Sequence, residues 1–231
     1  MTKFSDIHSH FVYGMDDGAQ TRKEMEAMLD AAWQDGVVEL IATPHVTPGI
    51  RPFHEDRFQR HLEEARMYCR TCGYAMTLYS GAENLYTPAM IRHAKDHCLV
   101  TMGNSHHVLL EFSSRTSYDE IAEAVSLLER SGYIPVLAHV ERYRALRGIQ
   151  LRRLKEHSSV LCQINCASVI DGGDLLERFQ VGRWLREELI DYIATDSHDC
   201  SKRPSRMTEA YTLLARRYGK DYAKRLMMSR R

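Results

Sequence analysis

Five histidines and four carboxylates stand at or just past the ends of predicted strands along this chain. Imidazole and carboxylate groups together are the ligands that divalent transition metals take in proteins. One ion needs about four ligands, so nine indicate two or three ions that share bridging groups. Such clusters catalyse hydrolysis, most often of phosphate esters. The nine candidate metal ligands are His8, His10, Asp17, His45, Glu83, Glu111, His139, Asp196 and His198.

Two short motifs contribute four of these candidates. His8-x-His10 lies at the first predicted strand, and Asp196-x-His198 follows the last one. Side chains alternate in an extended segment, so the two members of each pair share one face. Each motif alone is a weak sign of metal binding. The first and last strands of a barrel are neighbours, however, so the two pairs are expected to converge.

The candidates between these motifs have ordinary structural alternatives. Glu83 and Glu111 follow apolar runs, where a buried carboxylate is costly unless it is paired or coordinated, but each could also lie at the surface. His139 could be a hydrogen-bonded core histidine, and His45 an ordinary loop residue. Their recurrence after successive strands favours metal binding, because the active sites of parallel barrels lie at the carboxyl ends of the strands.

Charge balance adds two arginines to the candidate site. Four carboxylates with three divalent ions leave a formal excess of +2, which suits a phosphate dianion. Arg142 and Arg203 closely follow candidate histidines, and a guanidinium can bind phosphate through two hydrogen bonds. One assignment stays open, since Asp16 and Asp17 compete for the same ligand role and either could be a turn residue.

A cysteine motif offers a rival chemistry. The stretch from Cys200 to Arg206 has the C-x5-R spacing of cysteine-dependent tyrosine phosphatases, in which a thiolate attacks phosphorus and backbone N–H groups hold the phosphate. Here Pro204 lacks an N–H, the loop has no glycine, and His198 just before it is assigned to metal. We therefore expect no catalytic thiol. Were Cys200 the nucleophile, alkylation would abolish activity and chelators would not.

Composition narrows the class of function. The 231 residues carry 31 basic and 31 acidic side chains. We therefore expect no strong electrostatic field that would attract nucleic acid or a membrane surface. The amino-terminal residues contain no apolar stretch, and we expect neither a signal peptide nor a transmembrane segment. The six cysteines, including the pair Cys69-x-x-Cys72, are expected to be thiols of a cytoplasmic protein.

Strands and helices alternate along the chain. Thr21-Arg22-Lys23-Glu24 is a capping box, and apolar residues at helical spacing follow it as far as Gly36. Apolar strands alternating with helices predict a parallel sheet covered by helices, and about seven such repeats fit a closed or nearly closed barrel. We predict one domain, residues 1–231, because no linker divides the chain. The predicted strands cover about residues 4–8, 37–43, 75–80, 107–112, 134–139, 160–165 and 191–195, and the later helices about residues 54–72, 118–130, 151–157 and 175–189, with others after Pro88 and from about 205 and 220.

Together these motifs resemble the PHP (polymerase and histidinol phosphatase) superfamily and, within it, the bacterial capsule-regulating, metal-dependent tyrosine phosphatases of the CpsB/CapC type. The resemblance runs from about Phe4 to Tyr218. The stretch from His139 to Tyr143 and the Asp-Asp-Gly loop are specific to the tyrosine phosphatase branch. The matching segments are Asp6-Ile7-His8-Ser9-His10, Asp16-Asp17-Gly18, Ala42-Thr43-Pro44-His45, Gly81-Ala82-Glu83, Val108-Leu109-Leu110-Glu111-Phe112, Ile134 to Tyr143 and Thr195-Asp196-Ser197-His198.

The resemblance implies a distorted (β/α)7 TIM-like barrel of the PHP type, in the α/β class. It also implies a site for three divalent ions, manganese first, with iron or zinc as alternatives, and phosphate-binding roles for Arg142 and Arg203. By position, one ion takes His8, His10, Glu83 and Asp196, a second shares Glu83 and adds Glu111 and His139, and a third takes Asp17, His45 and His198.

The implied activity is hydrolysis of protein phosphotyrosine by a metal-bridged hydroxide that attacks phosphorus in line. The implied substrate is a bacterial tyrosine autokinase that controls capsule or exopolysaccharide synthesis. A phenolate, whose parent pKa is about 10, leaves without much proton donation, so aryl phosphates are expected to be the better substrates. Two departures from the family leave substrate detail open: Asp199 stands where Asn is frequent, and residues 50–60 match no family pattern.

Two alternatives use the same residues. A small-molecule phosphomonoesterase, such as a histidinol-phosphate phosphatase, would turn over histidinol phosphate faster than a phosphotyrosyl peptide. A noncatalytic metal-binding barrel would show no activity on p-nitrophenyl phosphate with added manganese. The intact set of nine ligands favours an enzyme.

Overall fold

Short parallel strands alternate with helices along residues 3–228, the part of the chain that the structure, a computed structural model, describes. The strands are β1 (Phe4–Ser9), β2 (Val37–Ala42), β3 (His45–Val46), β4 (Thr77–Tyr79), β5 (Glu83–Leu85), β6 (His107–Glu111), β7 (Ile134–Leu137), β8 (Leu161–Asn165) and β9 (Tyr192–Ala194). The helices are α1 (Arg22–Gln34), α2 (Glu55–Cys72), α3 (Met90–Lys95), α4 (Tyr118–Arg130), α5 (Gln150–Glu156), α6 (Cys166–Ile170), α7 (Leu175–Arg186), α8 (Met207–Tyr218) and α9 (Lys220–Met227). Two 3₁₀ turns, Val140–Arg142 and Arg144–Leu146, follow β7.

The strands pair in two parallel sets. One has the order β1-β2-β4, and the other has the order β3-β5-β6-β7-β8-β9. A single bridge between Ser9 and Ser197 links the end of β1 to the segment after β9. The prediction of an α/β fold with a parallel sheet is confirmed, and the sheet curls into a half-barrel. Within residues 3–228 the ladder hydrogen bonds do not run round one continuous ring.

Two interruptions of the sheet differ from the predicted elements. The strand predicted over residues 37–43 stops before Pro44, which has no N–H for a ladder, and the two-residue β3 resumes after it. In the same way β4 and β5 divide one stretch of extended chain. β3 and β5 pair in a register that sets His45 opposite Glu83. The interruptions therefore bring two candidate ligands side by side.

The helix boundaries follow the predicted signals closely. The capping box of α1 is confirmed, because the Thr21 hydroxyl accepts a hydrogen bond from the Glu24 N–H and the Glu24 carboxylate accepts one from the Thr21 N–H. The predicted helix over residues 175–189 is too long, since α7 ends at Arg186. Glu188 has a φ of 54°, and a non-glycine residue in the left-handed region stops a helix. The short α6 was not predicted.

Two apolar clusters hold the sheet. The larger one lies between the sheet and the helices and includes residues from Phe4 to Met227, so elements from both ends of the chain share it. The smaller one gathers residues from β1, β2, β6, β7 and β9, together with two residues outside the strands, Met102 and Ala138. Its members are Ile7, Ile41, Met102, Leu109, Val136, Ala138 and Ala194. In the part of the chain that is described, no helix combines the length and apolar character needed to cross a bilayer.

Candidate metal centre

All nine predicted ligands lie together at the carboxyl ends of the strands. Six have side chains that are at most 4% exposed, and we call these the deep group: His8, His10, Glu83, His139, Asp196 and His198. The other three form the rim group: Glu111, His45 and Asp17, whose side chains are 22%, 37% and 67% exposed. The cluster is thus shielded from solvent at the deep group and open to solvent at the rim group.

Glu83 is the centre of the cluster. Its Oε2 atom lies 3.2 Å from His8 Nε2, 3.4 Å from His10 Nε2 and 3.0 Å from His45 Nδ1. Its Oε1 atom lies 2.7 Å from Nε2 of His139. A fully buried carboxylate that faces four imidazoles is suited to bridge two cations.

Asp196 is the second shared carboxylate. Its Oδ1 atom lies 3.4 Å from His8 Nε2 and 3.5 Å from His10 Nε2. Its Oδ2 atom lies 2.8 Å from Arg142 Nη2 and 2.7 Å from Arg203 Nη2. Both predicted phosphate-binding arginines therefore stand beside the cluster, where their half-exposed guanidinium groups can also reach a bound anion.

The rim group closes the open side of the cluster. The Asp17 Oδ1 atom lies 3.4 Å from the Nε2 atoms of both His45 and His198. The Glu111 carboxylate reaches within 3.6 Å of His45 Nδ1 with one oxygen and within 3.6 Å of His139 Nε2 with the other. Contacts of 3.4–3.6 Å leave space between the nitrogen and oxygen atoms.

Hydrogen bonds behind the cluster fix the orientation of three imidazoles. His8 Nδ1 lies 3.2 Å from Gln163 Oε1, His10 Nδ1 lies 2.6 Å from Asp16 Oδ2, and His198 Nδ1 lies 3.0 Å from the Asp196 carbonyl oxygen. Each acceptor requires a proton on Nδ1, so that the Nε2 lone pair faces the cluster, which is the arrangement that metal-ligating histidines take. Asp16 also accepts the N–H groups of Gly18 and His45. Asp16 therefore positions His10, and Asp17 faces the other ligands.

Two amides of β8 were missed by the sequence analysis. Gln163 Oε1 accepts the His139 N–H as well as His8 Nδ1, and Gln163 Nε2 donates to Asn165 Oδ1. Asn165 Nδ2 in turn donates to Asp196 Oδ2 at 2.8 Å. The only signal in the sequence was a pair of amides two residues apart on an otherwise apolar strand, which places both on one face.

The titration of the cluster follows from burial and from neighbouring charges. Burial lowers the pKa of His198 to about 4, with the nearby His10 adding to the effect, and burial also lowers the pKa of His139. Burial acts in the same sense on His8, but the charges of Glu83 and Asp196 outweigh it and raise the pKa of His8. Burial raises the pKa of Glu83, yet its histidine neighbours, His8 first, hold that pKa well below the ordinary value.

Two ligands sit on strained backbone. His139 has a φ of 32° and Asp196 a φ of 52°, in the left-handed region that residues with a Cβ seldom adopt. Each lies two residues past the end of a strand. Such strain persists where the surrounding structure imposes it, and it concentrates at functional sites.

The donor set fits bound cations. Glu83 Oε2 and His198 Nε2 are buried atoms without a hydrogen-bond partner, although histidine nitrogens or a carboxylate oxygen lie within 3.4 Å of each. Unpartnered buried polar atoms are costly, and cations between them would satisfy both. Among the described residues, three groups offer ligand atoms within 4.8 Å of one another: His10, Asp17, His45 and His198; His8, His10 and Asp196; and His45, Glu83 and Glu111.

The cysteine motif does not form a phosphate loop. Burial and the neighbouring Asp199 raise the pKa of the Cys200 thiol, whereas a nucleophilic cysteine needs a lowered one. Arg206 pairs with Asp171 and Glu209. All six cysteines are free thiols, as predicted.

Fold and site together define a class, namely α/β proteins that carry a candidate polynuclear metal centre at the carboxyl edge of a curled parallel sheet. Within that class, the profile of the family described as "Capsular polysaccharide synthesis, CpsB/CapC" matches residues 4–230, and the chain belongs to this family. The resemblance noted in the sequence is confirmed.

Relatives and solved structures agree with this assignment. The tyrosine-protein phosphatase CpsB of Streptococcus pneumoniae is 30% identical over 230 residues, which cover 96% of this chain and 94% of that protein. The CpsB protein of Streptococcus agalactiae is 31% identical with the same coverage. A chain from the crystal structures of YwqE from Bacillus subtilis and CpsB from Streptococcus pneumoniae, metal-dependent tyrosine phosphatases, superposes with a TM-score of 0.84 and 25% identity, over 94% of this chain and 89% of that one.

Proposed function

We propose that this chain is a metal-dependent phosphatase that hydrolyses phosphotyrosine in proteins. The observation that carries the proposal is the convergence of nine histidine and carboxylate side chains around Glu83. Membership of the CpsB/CapC family and the names of the relatives support the choice of substrate.

Three divalent ions are proposed, manganese first. The deep residues His8, His10, Glu83 and Asp196 would hold one ion, Glu83, Glu111 and His139 a second, and Asp17, His45 and His198 a third. The three groups of close ligand atoms overlap this division only in part. They place His45 rather than His139 with Glu83 and Glu111, they leave Glu83 out of the group of His8, His10 and Asp196, and they add His10 to Asp17, His45 and His198. When bound, divalent ions act as Lewis acids and bring the pKa of water close to neutrality.

Arg142 and Arg203 complete the proposed site. Both guanidinium groups contact the same oxygen of Asp196 and remain partly exposed, so each has donors left for a phosphoryl oxygen. Donors fixed beside the reacting group stabilise charge that grows on its oxygens. The leaving phenolate needs little proton donation, so this chain requires no strong general acid for an aryl ester.

We infer further that the fold is a distorted (β/α)7 barrel in a single domain. β2 with β3, and β4 with β5, each count as one interrupted strand, which makes seven. The Ser9–Ser197 bridge joins the first to the last. The apolar cluster shared by Phe4 and Met227 supports one domain.

The proposed physiological substrate is a tyrosine autokinase that controls capsule or exopolysaccharide synthesis. The description of the family as capsular polysaccharide synthesis supports this choice. An aryl phosphate is the ester that the proposed site would hydrolyse most readily, because a phenolate leaves without strong proton donation.

The test compares substrates with and without metal. Protein purified without chelators should contain two to three divalent ions per chain and should hydrolyse a phosphotyrosyl peptide faster than histidinol phosphate. EDTA should abolish both activities, and manganese should restore them. Faster turnover of histidinol phosphate would overturn the protein substrate, and full activity in EDTA would overturn the metal-dependent chemistry.

A further inference from the structure

A cleft lined by arginines opens beside the metal centre. Its volume is about 960 Å³, and its walls come from the segment after β6 and from the two 3₁₀ turns after β7, with α7 at its edge. Four guanidinium groups line it: Arg115, Arg142, Arg144 and Arg147. The cleft therefore lies on the same carboxyl edge of the sheet as the candidate ligands.

The charges in this cleft are not balanced. Among the described residues, Arg115, Arg144 and Arg147 have no carboxylate within 4.0 Å, unlike Arg142, which contacts Asp196. Three unpaired like charges around one cleft repel each other. A guanidinium group binds carboxylate or phosphate through paired hydrogen bonds, so an anion in the cleft would relieve the repulsion.

The acidic residues of the cleft do not fill this role. Glu141 is buried, and its Oε1 atom accepts hydrogen bonds from the Asn165 N–H and the Ser168 hydroxyl. Its carboxylate therefore connects parts of the fold and pairs with none of the arginines among the described residues. Glu177, on α7, is the other acid of the lining. Within the described part of the chain, Glu177 is therefore the one partly exposed carboxylate of the lining, beside three guanidinium groups that have no ion pair, and the cleft remains positive.

Arg142 connects the cleft to the metal centre. It lines the cleft, and its Nη2 atom lies 2.8 Å from Asp196 Oδ2 within the cluster. A chain whose phosphotyrosine reaches the cluster would therefore run next to Arg144 and Arg147. A compact phosphoester that fits the cluster alone would leave the cleft unused.

We propose that this cleft binds anionic side chains that flank the phosphotyrosine, so that the preferred substrates are acidic segments of protein. The inference rests on the proposed phosphatase function and specifies its substrate class. Carboxylates of Asp and Glu and the phosphate of a second phosphotyrosine share the required chemistry.

The experiment measures kcat/KM on three phosphotyrosyl peptides that differ only in their flanking residues, which are Glu, Gln or a second phosphotyrosine. The manganese-loaded wild type should favour at least one anionic peptide over the Gln peptide by about fivefold to tenfold, as several partly exposed ion pairs allow. The double variant Arg144→Ala/Arg147→Ala should lose most of this ratio, chiefly through KM. Because a ratio is independent of the fraction of active enzyme, partial misfolding cannot mimic the result.

A matched control removes the same charge elsewhere. Arg186 and Arg216 are exposed and lie near the carboxyl ends of α7 and α8, and helices that follow parallel strands end at the opposite edge of the sheet. Arg186→Ala/Arg216→Ala should keep both the activity and the ratio. Preference for the Glu peptide places carboxylates in the cleft, and preference for the doubly phosphorylated peptide alone places phosphate there.

A binding measurement tests the cleft proposal independently of the proposed phosphatase activity. Calorimetry with phosphonate analogues of the three peptides reports on the cleft even if no turnover is seen. Equal affinity for the Glu, Gln and doubly anionic analogues, or an unchanged ratio in Arg144→Ala/Arg147→Ala, overturns the cleft proposal. Absence of hydrolysis with all peptides overturns the phosphatase and leaves the binding result standing.

Discussion

The deep group and the rim group of the candidate metal centre differ in how the fold supports them. His8, His10 and His198 in the deep group each donate a hydrogen bond from Nδ1 to a fixed acceptor. In the rim group, the His45 ring faces carboxylates with both nitrogens, and the Asp17 side chain is mostly exposed. The imidazoles of the deep group are therefore oriented by the fold itself, whereas the rim side chains are more exposed to solvent.

This difference predicts unequal affinity for the ions. Ligands whose orientation is already fixed lose little entropy on binding, and their outer hydrogen bonds raise ligand basicity. An exposed carboxylate such as Asp17 must lose both its mobility and its hydration. We therefore expect ions on the deep side to be retained and an ion at the rim to exchange.

The largest effect is expected from Glu83→Gln, which keeps the shape of the residue and removes its charge. All four imidazoles around Glu83 lose their shared anion, so metal content should fall and kcat/KM should drop at least about a thousandfold, or about 4 kcal/mol in the barrier. Elemental analysis and phosphotyrosyl peptide assays measure both. Glu63→Gln, on the exposed face of α2, is the matched control, and full turnover in Glu83→Gln would show that Glu83 is not the bridging ligand.

A smaller effect is expected from Gln163→Leu, which tests the support behind the deep group. The change leaves His8 Nδ1 and the His139 N–H without their common acceptor. Loss of such outer partners typically weakens metal binding about 10- to 100-fold, so activity should fall at limiting manganese and recover at high manganese. The readout is a manganese titration of activity, with Gln34→Leu at the exposed end of α1 as control. An unchanged titration curve would mean that β8 does not support the centre.

The smallest effect on activity is expected from Asp17→Asn at the rim. One exposed ligand oxygen is replaced by a weaker one, so one ion should be lost or exchange faster, with activity lower by about tenfold. Metal content should fall by no more than one ion per chain, and the circular dichroism spectrum should not change. Asp119→Asn, on the exposed side of α4, is the control. A loss of activity as large as that of Glu83→Gln would show that the deep group and the rim group do not differ in importance.

The sequence predicts more of the deep group's residues than of their support. Each candidate ligand follows an apolar run or a turn signal, and parallel strands bring such positions to one edge, so the predicted positions meet in the structure. β3 and β5 are too short for periodicity to show them, and their pairing depends on tertiary register. Gln163 and Asn165 carry no spacing that distinguishes an outer hydrogen bond from ordinary strand packing. The ligand roles of all nine residues remain predictions.

The last prediction concerns the stability of the chelated protein against pH. Two deep histidines, His8 and His10, have raised pKa values because nearby carboxylates outweigh the effect of burial. A histidine whose pKa is higher in the folded state stabilises the fold below its unfolded pKa of about 6.5, and this contribution is lost as the pH rises through the folded pKa. The pKa values of His139 and His198 are lowered in the folded state, so these two residues make the stability depend on pH only below about 6.5. The same holds for Glu83 and Asp196, whose pKa values are also lowered.

We therefore expect protons on His8 and His10 to take the place of cations in the deep group when metal is removed. The melting temperature of the EDTA-treated protein should fall by on the order of a few degrees as the pH rises above about 6.5, while that of the manganese-loaded protein should fall less, because deprotonated ligands bind metal more tightly. Calorimetric scans of both forms at several pH values measure the difference. Asp17→Asn should leave this difference nearly intact and Glu83→Gln should reduce it, because the partners of His8 and His10 lie in the deep group. A difference that shrinks with rising pH would show that the histidines are not held protonated by Glu83 and Asp196.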